Sequence, residues 1–160
     1  MKKLIAAATM AAVLAGGIGL SATAIAKEKE EKSEKGVAKV VPAPPEGMGQ
    51  VVFFRPGGMG FALGCGVNEN GERISALGAG KYFVYPTAPG SHSYTVKSEA
   101  TDLLTLEVEP GEPTSVKCKI KMGIMVGRPN IAPSTQEEFD KLSAKLEYVD
   151  ADDIGPKKEK

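Results

Sequence analysis

Tyr82-Phe83-Val84-Tyr85-Pro86-Thr87-Ala88-Pro89-Gly90-Ser91-His92-Ser93-Tyr94-Thr95-Val96 is the stretch on which the reading of this chain turns. Two runs rich in aromatic and β-branched residues flank a Pro-Thr-Ala-Pro-Gly breaker, where proline fixes φ and glycine relaxes it. The pattern reads as a β-hairpin, and its apolar faces need neighbouring strands to close a core. Working outward, Gln50–Arg55 is a first strand stopped by Pro56-Gly57-Gly58. Phe61–Val67 reads as the next, with Phe61, Leu63, Cys65 and Val67 on one face. Asn68-Glu69-Asn70-Gly71 is a turn, its Asn-Gly pair tolerating positive φ, and Glu72–Leu77 follows as a strand.

Beyond the central stretch, Leu103–Val108 is a strand and Glu109–Pro113 a turn. Thr114–Met122 has the clearest alternation: Val116, Cys118, Ile120 and Met122 share one face, Lys117, Lys119 and Lys121 the other. Period two with lysines outward is a strand with one wet face, and the lysines read as solvated and as a guard against edge pairing. After a loop, Gly123–Pro133, the run Ser134-Thr135-Gln136-Glu137 is a capping box. It opens a helix near 134–145 with an apolar stripe of Phe139, Leu142 and Leu146. Lys145–Val149 also reads as a last short strand. The expected fold is mainly β: a small antiparallel β-sandwich of seven or eight strands with one short C-terminal helix. With 19 Gly and 11 Pro in 160 residues, composition agrees with a turn-rich β domain over a bundle.

The N-terminus reads as a secretory signal peptide over 1–26. Lys2 and Lys3 precede the uncharged Leu4–Ala26, which ends in Ala24-Ile25-Ala26, so cleavage is expected between Ala26 and Lys27. The alternative is an uncleaved anchor. Loss of Lys2 and Lys3 from 20 basic residues leaves 18 against 20 acidic ones, net −2, and no basic stripe for nucleic acid. Lys27–Lys35 holds only Lys, Glu and Ser, and Val37–Gly47 carries Pro42, Pro44 and Pro45. Residues 27–48 are therefore expected as a disordered, then extended, tether, 49–150 as the domain, and 151–160 as a loose tail. The address implied is periplasmic or secreted.

Cys65 and Cys118, both inward on predicted strands, are expected to form a disulfide in an oxidising compartment; the alternative is two buried thiols. His92, the sole histidine, cannot build a His-rich metal site and reads as a surface or turn residue. Met48, Met59, Met122 and Met125 with Cys65 are thinkable as a soft copper(I) site, but packing is the ordinary role of such methionines. Gly57-Gly58-Met59-Gly60 lacks the Gly-Lys-Ser/Thr ending of a phosphate loop. Arg55 either binds a carboxylate or glycan, or holds the following loop through carbonyl or acid contacts.

The order Val51-Val52-Phe53-Phe54-Arg55-Pro56, the Asn70-Gly71-Glu72 turn, Gly80-Lys81-Tyr82-Phe83, the Ala88–His92 corner and Val108–Gly111 resembles a bacterial family called domain of unknown function 2846. It resembles more loosely the PEGA domains and transthyretin-like sandwiches. The likeness covers about Gly49–Met122 and implies a small antiparallel β-sandwich, secreted or lipid-anchored, with no catalytic residues to carry over. The anchoring cysteine of many relatives is missing here. The expected function is non-catalytic, with no cofactor: an envelope accessory protein that binds a protein or cell-wall component through the loops Pro56–Gly60 and Gly123–Pro133. Arg55, Met59 and Arg128 are the candidate partner-binding residues. The competing class is a hydrolase, a redox-linked enzyme or a soft-metal binder.

Overall fold

The computed structural model describes residues 38–58, 60–125 and 127–156. The expected signal peptide with its Ala26–Lys27 cleavage site, residues 27–37 of the expected tether, and Met59 lie outside the described residues. Among the described residues nine strands, β1 (Gly49–Arg55), β2 (Cys65–Glu69), β3 (Glu72–Leu77), β4 (Lys81–Thr87), β5 (Gly90–Lys97), β6 (Thr101–Val108), β7 (Pro113–Lys121), β8 (Arg128–Ser134) and β9 (Glu147–Tyr148), form two sheets, with one α-helix, α1 (Gln136–Ser143), and a short 3-10 turn at Ala151–Asp153. The first sheet runs β8-β7-β1-β4-β9 and the second β3-β2-β5-β6. The protein is mainly β, a small β-sandwich.

The central stretch does make two strands, but they are not a hairpin. β4 pairs with β1 and β9 in one sheet, while β5 pairs with β2 and β6 in the other. Thr87–Gly90 is therefore a corner that carries the chain across the sandwich. A two-residue hairpin loop needs positive φ at its centre, and Ala88-Pro89 cannot supply it, since proline is held near −65°. Asn70 (φ 51°) and Gly71 (φ 85°) do supply it, and there β2 and β3 fold back on each other as a true hairpin.

β1 is buried along its whole length. It lies between β4, antiparallel, and β7, parallel, which explains a run with no alternation: both its faces are covered. Val51 and Phe53 face the inter-sheet core with Phe83, Val116, Val67, Tyr94 and Val96. Phe53 stacks on Phe83 at 4.9 Å and meets the edge of Tyr94 at 5.0 Å. Val52 and Phe54 face outward into a second cluster with Phe139 and Leu146 of the helical segment. The helix begins one residue later than expected. Thr135 is the cap, its Oγ1 accepting from Glu138 N at 3.1 Å, while Ser134 Oγ donates to Glu138 Oε2 at 2.6 Å.

Several expectations are corrected. Phe61–Leu63 is a turn, not the start of a strand: Gly60, Gly64 and Gly66 around it leave too few side chains to hold it in a sheet, and Phe61 is exposed. Gly123–Pro133 is only half a loop, because Arg128–Ser134 is the edge strand β8 in register with β7. The spacer is docked over Ala38–Met48: Val41 packs on the outer cluster, Lys39 N donates to Ser143 Oγ, and Gln50 Nε2 donates to Pro42 O. The tail is likewise held as far as Pro156. Ile154 bridges to Ser75, and Arg73 donates to Gly155 O at 2.9 Å. Backbone polar groups and one apolar side chain thus anchor segments whose composition looked free. Cys65 and Cys118 form a disulfide that staples β2 to β7 across the core.

Candidate functional site

Because β1 and β7 run parallel, they finish at the same end of the sandwich. Each is followed by an irregular, glycine-punctuated segment, described over 56–58 and 60–64 after β1 and over 122–125 and 127 after β7. The turn Ser98–Ala100 between β5 and β6 reaches the same end. The two loops touch: a Cβ on Gly127 would lie 2.6 Å from both Ile120 Cγ2 and Leu63 Cδ1, and Gly60, at φ +73°, also sits against Ile120. Glycine is needed at both places for this close approach.

What these loops present is apolar. Phe61, Met122, Ile124 and Met125 are 81%, 84%, 88% and 87% exposed. Scattered exposed apolar residues are ordinary, but a contiguous group at one end of a domain marks an interaction surface. The group is also braced. Glu99 accepts from Ile124 N at 3.2 Å and Met125 N at 2.9 Å, and Arg128 Nε lies 3.5 Å from the same carboxylate. A carboxylate taking two adjacent amides and a guanidinium fixes the loop backbone beneath its exposed side chains. Beside it, Lys121, Arg128, Asp102 and Asn130 line a polar notch of about 190 Å³. Asp102 Oδ2 accepts from Asn130 Nδ2 at 2.7 Å and Ile131 N at 2.9 Å, tying the edges of the two sheets together.

The three candidate partner-binding residues fare differently. Arg128 is at this end, paired with Glu99. Met59 lies outside the described residues. Arg55 is buried and is not open to a partner; its guanidinium donates to Leu63 O, to Gly60 O at 2.6 Å and to Leu77 O at 3.1 Å. Burial holds its pKa below the usual arginine value. Arg55 therefore acts inside the fold, gripping the first loop against the end of β3. Met122, expected on the core face of its strand, is exposed one residue past the end of β7. Met48 is near the opposite end, where Gly111 N donates to its carbonyl, so it is far along the strands from Met122 and Met125. Cys65 is bridged and offers no thiolate. The methionine set is not assembled.

A second cluster lies at the other end. Tyr85 Oη donates to Glu69 Oε2 at 2.8 Å, and His92 Nδ1 is 2.7 Å from Glu69 Oε1 while its Nε2 is 2.8 Å from Ala88 O. Burial, then the Glu69 contact, pushes Tyr85 up to about 12. Tyr94 is raised too, first by burial and then by the Glu69 charge. Both Glu69 oxygens are engaged, so the carboxylate joins β2, β4 and β5 instead of standing ready as a base. His92, expected as a surface or turn residue, sits half-buried beside the Thr87–Gly90 corner in a structural knot. An open groove of about 350 Å³ runs beside this cluster between β3 and β4, lined by Arg73, Ile74, Tyr85 and Ile154.

Sequence reasoning picked the two loops but missed Phe61, Ile124 and Glu99. The signal for Ile124 and Met125 was present: Met122-Gly123-Ile124-Met125-Val126-Gly127 is apolar yet bounded by glycines and free of polar alternation, unlike a strand with one wet face. Glu99 gave none, being one acid in a polar turn. Searches of protein-family models, of curated proteins and of solved structures returned no match.

Proposed function

We propose that this chain is a non-catalytic accessory module of the bacterial envelope space, working through the loop end of its sandwich. The observation that carries the reading is the braced apolar group Phe61, Met122, Ile124 and Met125, whose exposure gives the folded domain nothing by itself. The fixed loop backbone adds to it, since a surface already ordered loses little conformational entropy on binding. The signal-like N-terminus and the Cys65–Cys118 bridge support an oxidising compartment, periplasmic or secreted. The apolar character suits an amphipathic envelope surface better than a bare glycan. The resemblance of the motif order to the domain of unknown function 2846 family fits an envelope role and is part of this proposal.

The test is photo-crosslinking in intact cells from a reactive residue placed at position 61 or 125, with Thr105, an exposed position in the middle of β6, as the control. Adducts concentrated at 61 and 125 support the reading. Adducts no more frequent there than at 105 overturn it.

A further inference from the structure

An outer strand presents a row of amides and carbonyls that a further strand can join, and folded proteins guard such edges. β8 is guarded by composition: Pro129 and Pro133 have no N–H, and Ile131 N, on the same edge, donates to Asp102 Oδ2. β6 packs along β8 on that side. Across the sandwich, β9 covers Lys81 and Tyr82 of β4. Beyond it Val84 N faces Tyr148 Oη, and Pro86 has no N–H to offer. β3 contains no proline. What lies on its outer edge is the chain's own Asp153–Pro156. Ile154 forms a single antiparallel bridge with Ser75, and Gly155 N donates to Ile74 O at 2.7 Å. The Arg73 guanidinium donates to Gly155 O at 2.9 Å and to Asp153 O at 3.3 Å.

This segment is added as a strand would be, yet it bridges the edge at one residue only. Beside it, towards the Asn70–Gly71 turn, the seam between β3 and β4 opens into the groove of about 350 Å³, with Ile74, Phe83, Val84 and Tyr85 as its apolar wall. Ile154 is 46% exposed there. The groove is acidic: Glu69 and Glu72 line it with Arg73, and Arg73 also meets Asp153 at 3.5 Å. With His92 counted as charged against Glu69, three carboxylates still face two cations. We propose that this edge and groove are a second binding site, for an extended peptide segment of a partner that adds antiparallel to β3 in place of Asp153–Pro156. Its apolar side chain enters the groove where Ile154 stands, Arg73 takes a backbone carbonyl, and a lysine or arginine further along meets Glu72. The chain's own segment has that pattern in sequence, Lys157 and Lys158 following Ile154. Backbone bonds supply the affinity of such strand addition and side-chain pockets its selectivity. The site lies apart from the loop end and goes beyond the reading given for it.

The test titrates the chain carrying Gly155→Pro with a synthetic peptide of residues 151–160, Ala-Asp-Asp-Ile-Gly-Pro-Lys-Lys-Glu-Lys. That substitution removes the Gly155 N–H and its φ of 85°, and so frees the edge. Followed by amide NMR, shifts saturate at Arg73, Ile74, Ser75, Val84 and Tyr85. The wild type binds at least about tenfold more weakly, because its own segment competes at an effective concentration in the millimolar range. A second peptide, which keeps only the apolar residue, the glycine and the two lysines and has threonine elsewhere, binds within about tenfold of the first. Replacing both lysines by glutamate lowers binding at least about tenfold. Ile154→Asp frees the edge by another route, and a cooperative unfolding transition verifies that each variant folds. No saturable shifts with either variant, equal binding by wild type and both variants, or indifference to the lysines overturns the inference. Binding of the 151–160 sequence alone overturns it too, since the edge is then a mooring for the chain's own segment. Crosslinking at 61 and 125 reads the loop end and these shifts read β3, so the two readings fail independently.

Discussion

Arg55→Met is the substitution that most directly probes how the loop end is built. The guanidinium is buried and serves three carbonyls, Gly60 and Leu63 on the first loop and Leu77 at the end of β3; among the described residues no carboxylate pairs with it. Each charged hydrogen bond contributes about 1.5–3 kcal/mol, but removing the guanidinium also removes the cost of keeping a cation out of water. Gly60 O and Leu63 O regain water if the loop lifts, whereas Leu77 O, against a buried side chain, stays dry and costs about 1–3 kcal/mol as an orphan. The expected net loss is about 2–4 kcal/mol. In urea, followed by circular dichroism, the midpoint falls by about 1–2 M with the slope unchanged. Arg55→Lys lies between, because an ammonium lacks the planar fork that spans three acceptors. Hydrogen exchange gives the local half of the test: the Leu63 amide, which donates to Gly60 O at 2.9 Å, loses its protection in the Met variant before global unfolding. A Met variant within about 0.5 kcal/mol of wild type, with Leu63 still protected, would refute the account.

Three more expectations follow from the packing. Reducing the Cys65–Cys118 bridge, which closes a separation of 53 residues, lowers stability by about 4 kcal/mol in the chain-entropy description. Thermal unfolding with and without reductant reads this, and coincident curves would refute it. Gly49→Ala drives a Cβ into Glu109 O and Val108 Cγ1 and costs about 1–3 kcal/mol, while Gly66→Ala, with open space around it, stays within about 0.5 kcal/mol. Equal midpoints for the two variants would contradict the close approach of β1 to the β6–β7 turn. Tyr85 keeps its proton up to about 12 when folded, against about 10 unfolded, so its contribution is whole below about pH 10 and lost as pH climbs through 12. Tyrosinate absorbance of the folded chain shows late-ionising tyrosines, of which Tyr85→Phe removes the one near 12 and leaves the raised Tyr94, and ionisation of all tyrosines near the ordinary value would contradict it.

How much of this was readable in advance depended on the kind of signal. β7 declared itself through period two, β3 and β6 through the glycine and proline breaks beside them, and α1 through its cap and the Phe139 stripe. β1 was legible as a strand, but its parallel pairing with β7 was not, since nothing in Val51–Arg55 names a partner 60 residues away. The hairpin reading of Tyr82–Val96 failed because a turn composition says that the chain reverses, not which sheet receives it; the φ demand of the loop was the only discriminator. Val41 and Ile154 dock segments that averages of composition mark as loose. The site was half legible: the loops came from their glycines, but the exposure of Phe61 and Ile124 depends on what the other sheet leaves uncovered, and the role of Glu99 on a contact 25 residues away.

The parallel β1–β7 pair also sets an order of events. β1 is the first of the described strands to be made and the middle of its sheet, yet one long edge has no partner until β7 exists. β4 supplies the other edge sooner, so an early chain holds a half-built sheet with a row of open amides and carbonyls. Such long-range pairing slows folding and exposes the chain to association while it waits. Cys65 waits in the same way, its only possible mate in the chain being a residue of the strand that closes the gap. Arrival of β7 therefore closes the open edge of β1 and brings the second sulfur to the first in a single step, so that oxidation traps only chains whose central strand has already found its place.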